Sequence, residues 1–245
     1  MEQAVYAVEA QVEADHWWFV GRRALFANEI RKAGIPLEAA VLDIGTGTGS
    51  NLRLLRDLGF RAVVGLDPSA EAARYCNMKG LGPVEQGDVR SIRFADASFD
   101  LVLATDVIEH VEDDRQALAQ LHRVLRPGGT VLLTVPAFPS LWGLQDEVSH
   151  HFRRYRLAQL LQLAKSAGFI PQRWYYFNYL LFVPIWAARQ MMRLLRLKLE
   201  SENELNNGIM NAVLSAIFHF DIATAPIARP PFGVSAFLLA QKPQP

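Results

Sequence analysis

The sequence predicts an α/β fold: a seven-stranded, mostly parallel sheet with helices on both faces. Three observations predict it. The apolar run 39–44 leads into Gly45-Thr46-Gly47-Thr48-Gly49, and a helical pattern follows at Leu52, Leu54, Leu55 and Leu58, which reads as buried strand, glycine-rich turn and helix. Further short apolar runs (62–66, 84–86, 99–104, 130–135) alternate with helical patterns that end at Gly59, Gly80 and Pro127-Gly128-Gly129, the punctuation of repeated strand–helix units. Hydrophobic residues make up 51% of the 245, ample for a core.

Residues 1–38 precede the first strand. Val8, Val12, Phe19 and Leu25 are mixed with acids, and a helix is expected. Within it stands His16-Trp17-Trp18-Phe19-Val20-Gly21-Arg22-Arg23. Two adjacent tryptophans cannot both face inward on a helix, so one is expected to reach a partner or a pocket. The segment either staples itself over the sheet or forms a lid, with Arg22 or Arg23 touching an anionic group.

The glycines after the first strand allow a tight turn and close approach of a ligand, and the N–H groups at the next helix start form a polar cradle. Gly-x-Gly-x-Gly departs from the dinucleotide spacing G-x-G-x-x-G, so a nicotinamide dehydrogenase fits less well. Asp67 ends the second strand 22 positions after Gly45, where a ribose-binding carboxylate belongs. Before Pro68 it also reads as the cap of a helix over 69–79. Strand 84–86 leads to Asp88, which by itself is a turn residue. Thr105 and Asp106 lie at the carboxyl end of strand 99–104, where open parallel sheets bind ligands.

An amphipathic helix is expected over 112–125, its buried face formed by Ala117, Leu118, Leu121, Val124 and Leu125. Strand 130–135 follows. The connection 138–156 holds Trp142, Asp146, Glu147, His150, His151, Arg153, Arg154 and Tyr155. It reads either as an anion clamp with a general base or as a surface loop whose arginines pair with Asp146 and Glu147. The spacing of Asp146, His150 and His151 does not complete a ligand set, so no metal is expected. Helix 157–167 and strand 170–178 come next.

The apolar run 179–188 is broken by Pro184 and is shorter than the roughly 20 residues of a membrane span. Met191, Met192, Leu194, Leu195, Leu197 and Leu199 then alternate with Arg189, Arg193, Arg196 and Lys198. This basic amphipathic helix lies on a membrane surface, covers a pocket or forms a homodimer contact. A polar break at 201–208, a helix near 209–218, a connector stiffened by Pro226, Pro230 and Pro231, and strand 234–240 complete the chain.

Taken together, Asp43-Ile44-Gly45-Thr46-Gly47-Thr48-Gly49, Gly65-Leu66-Asp67-Pro68-Ser69, Gln86-Gly87-Asp88-Val89, Phe99-Asp100-Leu101-Val102, Asp106-Val107-Ile108-Glu109-His110-Val111 and Leu125-Arg126-Pro127-Gly128-Gly129 resemble a class I S-adenosylmethionine-dependent methyltransferase of the bacterial small-molecule type. The likeness covers about 39–170 and the last strand. It implies a Rossmann-like sheet whose closing strand is antiparallel beside the sixth, with a lid at 1–38, a methyltransferase domain at 39–245 and a helical insertion at about 179–232.

It also implies S-adenosyl-L-methionine across the strand ends, with Gly45, Gly47 and Gly49 at its amino-acid end, Asp67 on its ribose, and Asp88 with Val89 on its adenine. Asp43, Thr46, Asn51, Pro68, Thr105 and Asp106 join the expected cofactor set. His110 stands beside the substrate mouth. The string His151-Phe152-Arg153-Arg154-Tyr155 and the tryptophan-rich opening resemble those of bacterial relatives. Trp17, Trp18, Arg22, Arg153, Arg154 and Tyr155 are thus candidate substrate contacts, and His151, His150 and His110 candidate bases.

The formal net charge is zero, but residues 1–149 carry −7, 150–200 carry +8 and 201–245 carry −1. This asymmetry points to an anionic partner or to a solvated helix face. The basic patch is mixed with apolar stretches, which argues against nucleic acid. A single cysteine, Cys76, rules out a disulfide framework within the chain, and with no evident secretion leader the expected location is the cytoplasm, with peripheral membrane contact through 179–200 an open alternative. The expected activity is methylation, O-methylation favoured, of a small or lipid-linked anionic acceptor. Its rivals are a non-catalytic cofactor-binding protein at a membrane or partner, and a nicotinamide-dependent oxidoreductase.

Overall fold

A computed structural model describes residues 10–195 and 208–244. Seven strands form one sheet: β1 (Ala40–Ile44), β2 (Ala62–Asp67), β3 (Val84–Gln86), β4 (Phe99–Thr105), β5 (Leu125–Pro136), β6 (Ile170–Phe177) and β7 (Ser235–Gln241). Their order is β3-β2-β1-β4-β5-β7-β6. The first five pair in parallel, and β7 runs antiparallel between β5 and β6. The order reverses between β1 and β4, the switch point where such sheets hold ligands.

The central strands are apolar on both faces because helices cover both. On one side, α4 (Asp114–Val124) buries Ala117, Leu118, Leu121 and Val124, joined by α6 (Leu157–Ser166). On the other lie α1 (Trp17–Ala33) and α2 (Ser50–Asp57). The third helix, α3 (Ala70–Met78), buries Cys76. Its cap is Ser69, whose hydroxyl accepts from the Glu71 N–H, and not Asp67. A short helix, α5 (Leu144–Val148), interrupts the connection after β5.

The segment between β6 and β7 differs most from expectation. It holds α7 (Phe182–Leu195), with Pro184 in its first turn, where a missing N–H costs nothing. Then comes α8 (Gly208–Ala228), ten residues longer at its C-terminal end than the sequence pattern indicates. Pro226 therefore lies inside the last turns of this helix and not in a connector. The reason is tertiary: Phe218, Asp221, Ile222 and Ala225 are buried against the fold and hold the helix in place. The Asp221 carboxylate accepts from the backbone N–H groups of Asn178 (2.6 Å) and Leu180 (2.9 Å), fastening the end of β6 to α8. By length and composition α8 could cross a membrane, but this buried face, with its acid, belongs to the core. The basic end of the expected amphipathic helix (Arg196, Lys198) and the polar break with Asn203, Asn206 and Asn207 lie outside the described residues.

The N-terminal segment is not a separate body. Gly21 faces Phe218 so closely that a Cβ there would stand 2.1 Å from Phe218 Cδ1. The Asn211 side chain accepts from the Trp17 N–H (2.8 Å) and donates to the Asp15 carbonyl (2.9 Å). Both tryptophans rest on Phe218, Trp17 edge-on at 5.4 Å and Trp18 stacked at 5.3 Å between ring centroids. α8 meets both rings at the first turn of α1, and neither ring is fully buried: both also reach the cavity described below.

Candidate active site

A cavity of about 890 Å³ opens over the carboxyl ends of β1, β2 and β4, roofed by α1. Gly47 has positive φ, and an added Cβ there would meet only the Gly45 carbonyl oxygen, at 3.9 Å, so the turn leaves open space at the cavity wall. Gly49 also has positive φ, but its Cβ side is filled: Leu81 Cδ1 would stand at 2.9 Å and Cys76 Sγ at 3.0 Å. Gly49 does not line the cavity and acts by letting α2 pack closely on α3. Burial pushes the Cys76 thiol up to about 12 and leaves it inert.

Behind the turn, Asp43 is fully buried. Its Oδ1 accepts from the Asn51 amide (3.0 Å), which also donates to Thr105 Oγ1 (3.0 Å). Its Oδ2 has no hydrogen-bond partner. Burial, with Asp67 nearby, raises the Asp43 carboxyl to about 7, against the Asn51 hydrogen bond. Asp67 accepts from the N–H groups of Gly47 (2.9 Å) and Ser69 (2.9 Å), bracing the turn from the end of β2. Pro68 and Val89 line the cavity, as does Asp88, which forms a 2.6 Å ion pair with Arg90. The Arg90 hydrogen bonds hold the Asp88 carboxyl below its usual range. The Thr46 hydroxyl donates to the Asp43 carbonyl (3.0 Å).

The roof is latched at two points that sequence reasoning missed or misassigned. Glu13 joins Thr48 Oγ1 and Lys79 through its carboxylate, docking the N-terminal segment on the glycine turn. No local pattern marks Glu13, because its partners lie far along the chain. Arg22, expected on a ligand anion, instead pairs with Asp106 at 2.7 Å, while stacking near Trp18 and Phe26. Asp106 itself has φ 54°.

The far end of the cavity is built from a short 3₁₀ turn, Ile108–His110, and the connection after β5. His151 Nδ1 lies 2.8 Å from Asp146 Oδ1, and the Arg154 Nε donates to the same oxygen at 2.7 Å. Arg189 of α7, expected from sequence on the basic side of an amphipathic helix, is instead buried and stands 3.9 Å from Asp146 Oδ2. Burial alone would raise Asp146, but the His151 hydrogen bond and Arg154 outweigh it and hold the acid at about 2. The His110 and His151 rings meet edge-to-face at 4.5 Å. Burial, then the His151 charge, lowers His110 to about 4, so it is neutral at pH 7. Beside them Glu109 is fully buried, its carboxyl raised by burial and by Asp106.

The structure divides the expected substrate set. Trp17, Trp18, Arg22 and Arg154 line the cavity with His110, His150 and His151; Arg153 and Tyr155 do not. Arg153 pairs with Asp114 (3.0 Å) and donates to the Glu112 carbonyl (2.6 Å). The Tyr155 hydroxyl donates to the same Asp114 carboxylate (2.9 Å). Both residues thus pin the connection to the start of α4. Only one arginine of the Arg153-Arg154 pair faces inward, because the chain here is extended and alternates its side chains.

Comparisons with known proteins agree with this architecture. Residues 42–133 match the family model described as a methyltransferase domain. The chain is 30% identical over 154 residues to a protein of Encephalitozoon cuniculi provisionally named a methyltransferase, covering 54% of this chain and 70% of that one. It is 35% identical over 167 residues to the trans-aconitate 2-methyltransferase of Azoarcus, covering 64% of this chain and 62% of that one. Among solved structures, the Haloferax volcanii protein determined in complex with the Trm112 methyltransferase activator superimposes with TM-score 0.63 at 20% identity, over 99% of this chain and 96% of that one. The chain spans about half the length of the first curated relatives it matches. On this combination of glycine turn, sheet order and similarity, the chain belongs to the class I S-adenosylmethionine-dependent methyltransferases.

Proposed function

We propose that the protein transfers a methyl group from S-adenosyl-L-methionine to a small or lipid-linked acceptor carrying an anionic group, with an oxygen as the favoured acceptor atom. The observation that carries the reading is that one cavity joins the glycine turn and the Asp67 and Asp88 rim to the His110–His151 ring pair and the buried Arg154 and Arg189. Its 890 Å³ lies toward the upper part of the range, roughly 300–1,000 Å³, of small-ligand sites.

The residues present fit the cofactor. The unpartnered Asp43 Oδ2 suits an ammonium, the open wall at Gly47 admits a close approach, and Asp67 and Asp88 stand at the ends of successive strands. Bound there, the cofactor supplies a methyl group on a good leaving group. The protein's own part is alignment and exclusion of water, which the tryptophan roof and the Arg22–Asp106 latch provide. For an acceptor hydroxyl, His151 is oriented for proton removal: Asp146 takes its Nδ1–H, leaving Nε2 as the acceptor. Arg154 and Arg189 give the acceptor end its positive charge. The named substrate of the Azoarcus relative, a carboxylate, is in keeping with that charge.

A peripheral membrane contact is a second part of the proposal. Val183, Trp186 and Met191 on α7, and Ile209, Val213, Phe220 and Ile227 on α8, are exposed, large apolar side chains of the kind that membrane- and partner-contacting surfaces present. They suit a second copy of the chain as well.

The test is incubation of the protein with methyl-labelled S-adenosyl-L-methionine and fractionated cell extract. Label is expected in the small-molecule or lipid fraction, and mild alkali releases it if the acceptor is a carboxylate. Label confined to protein or nucleic acid overturns the acceptor class. Co-sedimentation with anionic vesicles checks the membrane contact.

A further inference from the structure

Glu109 is a buried acid at the cavity whose position the mechanism above does not use. It is fully buried, and neither carboxylate oxygen has a hydrogen-bond partner. The two nearby arginines are bonded to other acids, Arg22 to Asp106 and Arg154 to Asp146. A buried carboxylate left this way is costly unless something else fills its coordination.

One carboxylate oxygen of Glu109 and one ring nitrogen each of His110 and His151 lie within 4.8 Å of one another. The placement is enforced by the backbone: the Phe152 N–H donates to the Glu109 carbonyl at 2.8 Å, holding the His151 strand against the turn that carries Glu109 and His110. His151 also has an outer partner, the Asp146 carboxylate at 2.8 Å from its Nδ1. That is the arrangement that fixes the tautomer of metal-ligating histidines. All three residues line the cavity.

We propose that Glu109, His110 and His151 bind one divalent transition-metal ion whose remaining coordination positions face the cavity. Two imidazoles and one carboxylate with open positions suit a first-row transition metal better than calcium or magnesium. At ligand distances of about 2.1 Å, neighbouring ligand atoms stand about 3 Å apart, so the three side chains close by roughly an ångström on binding. If the methyltransferase reading holds, on which this role rests, the open positions take the acceptor's oxygens. The ion then lowers the pKa of a coordinated hydroxyl and the proton leaves to solvent, while His151 Nε2, being a ligand, is no longer the base. Asp146, His150 and His151, the set weighed from sequence, do not converge in this way because Asp146 is engaged by His151 and Arg154.

The test is titration of chelator-treated full-length protein with Co²⁺, read by its visible absorption bands, with Zn²⁺ as competitor. One equivalent per chain is expected, with affinity reduced at least tenfold in Glu109→Gln and in His151→Gln, each checked for folding by its melting curve. Absence of saturable binding by the folded wild type, or equal affinity in both folded variants, overturns the site; if one variant does not fold, the other decides. A parallel titration with S-adenosylhomocysteine separates the two readings. Cofactor binding without cobalt binding overturns the metal site alone, and cobalt binding without cofactor binding overturns the methyltransferase reading alone.

Discussion

Asp43 carries the clearest pH signature. Its carboxyl is raised to about 7 by burial, against roughly 4 in an unfolded chain. Between these values the native state holds a proton that the unfolded state has lost, so stability falls as pH rises through this window and stays lower above it. Asp43→Asn removes this dependence. Ligand-free variant and wild type should melt alike near pH 4, and the variant should melt higher at pH 8, as thermal scans across that range will show. A wild-type stability that rises through the same window in step with the variant's would contradict the assignment. The places of Asp67, Asp88, Gly45 and Gly47 at the cavity were legible in the sequence because their spacing along strand–turn–helix units is local, whereas Gly49, expected there too, faces Leu81 and Cys76. The places of Glu13, Arg189 and Asp221 were not legible, since their partners lie 35 or more positions away. The Arg153-Arg154 pair misled because adjacency cannot tell which side chain of an extended segment points inward.

At the scale of elements, the strands were readable as short apolar runs, and their observed limits differ from expectation by a residue or two except at β5. That strand begins at Leu125, which pairs with Phe99 of β4, because Pro127-Gly128-Gly129 not only ends the previous helix but continues the strand, Gly128 and Gly129 bonding to the backbone of Lys242. The length of α8 was hidden because it is apolar on most of its circumference and lacks a clear period. Its junction with α1 is the element contact on which the roof depends. Gly21→Ala drives a Cβ into Phe218 and should cost about 1–3 kcal/mol. Phe218→Ala should cost about 3–5 kcal/mol by cavity formation. Gly21→Ala combined with Phe218→Leu should melt higher than Gly21→Ala alone if the two positions are in contact, and additive losses would count against the contact. Fluorescence of Trp17 and Trp18, both resting on Phe218, gives an independent readout.

At the scale of the whole molecule, the sheet order and its switch point place the cavity, and the N-terminal segment and the β6–β7 insertion close it together. The sequence indicates both pieces but not that they form one roof, because nothing local links residue 21 to residue 218. A ligand that binds only the closed native state stabilises all of it: at a hundred times its Kd, S-adenosyl-L-methionine should add about 2.7 kcal/mol, visible as a rise in melting temperature that S-adenosylhomocysteine reproduces and NAD does not. The most direct test of the central claim is calorimetric titration of the wild type and Asp67→Asn with S-adenosyl-L-methionine. One site per chain near micromolar Kd, on the order of −8 kcal/mol, weakened at least tenfold in the variant, is the predicted result. No binding by folded wild type, or equal affinity in the variant, would contradict it.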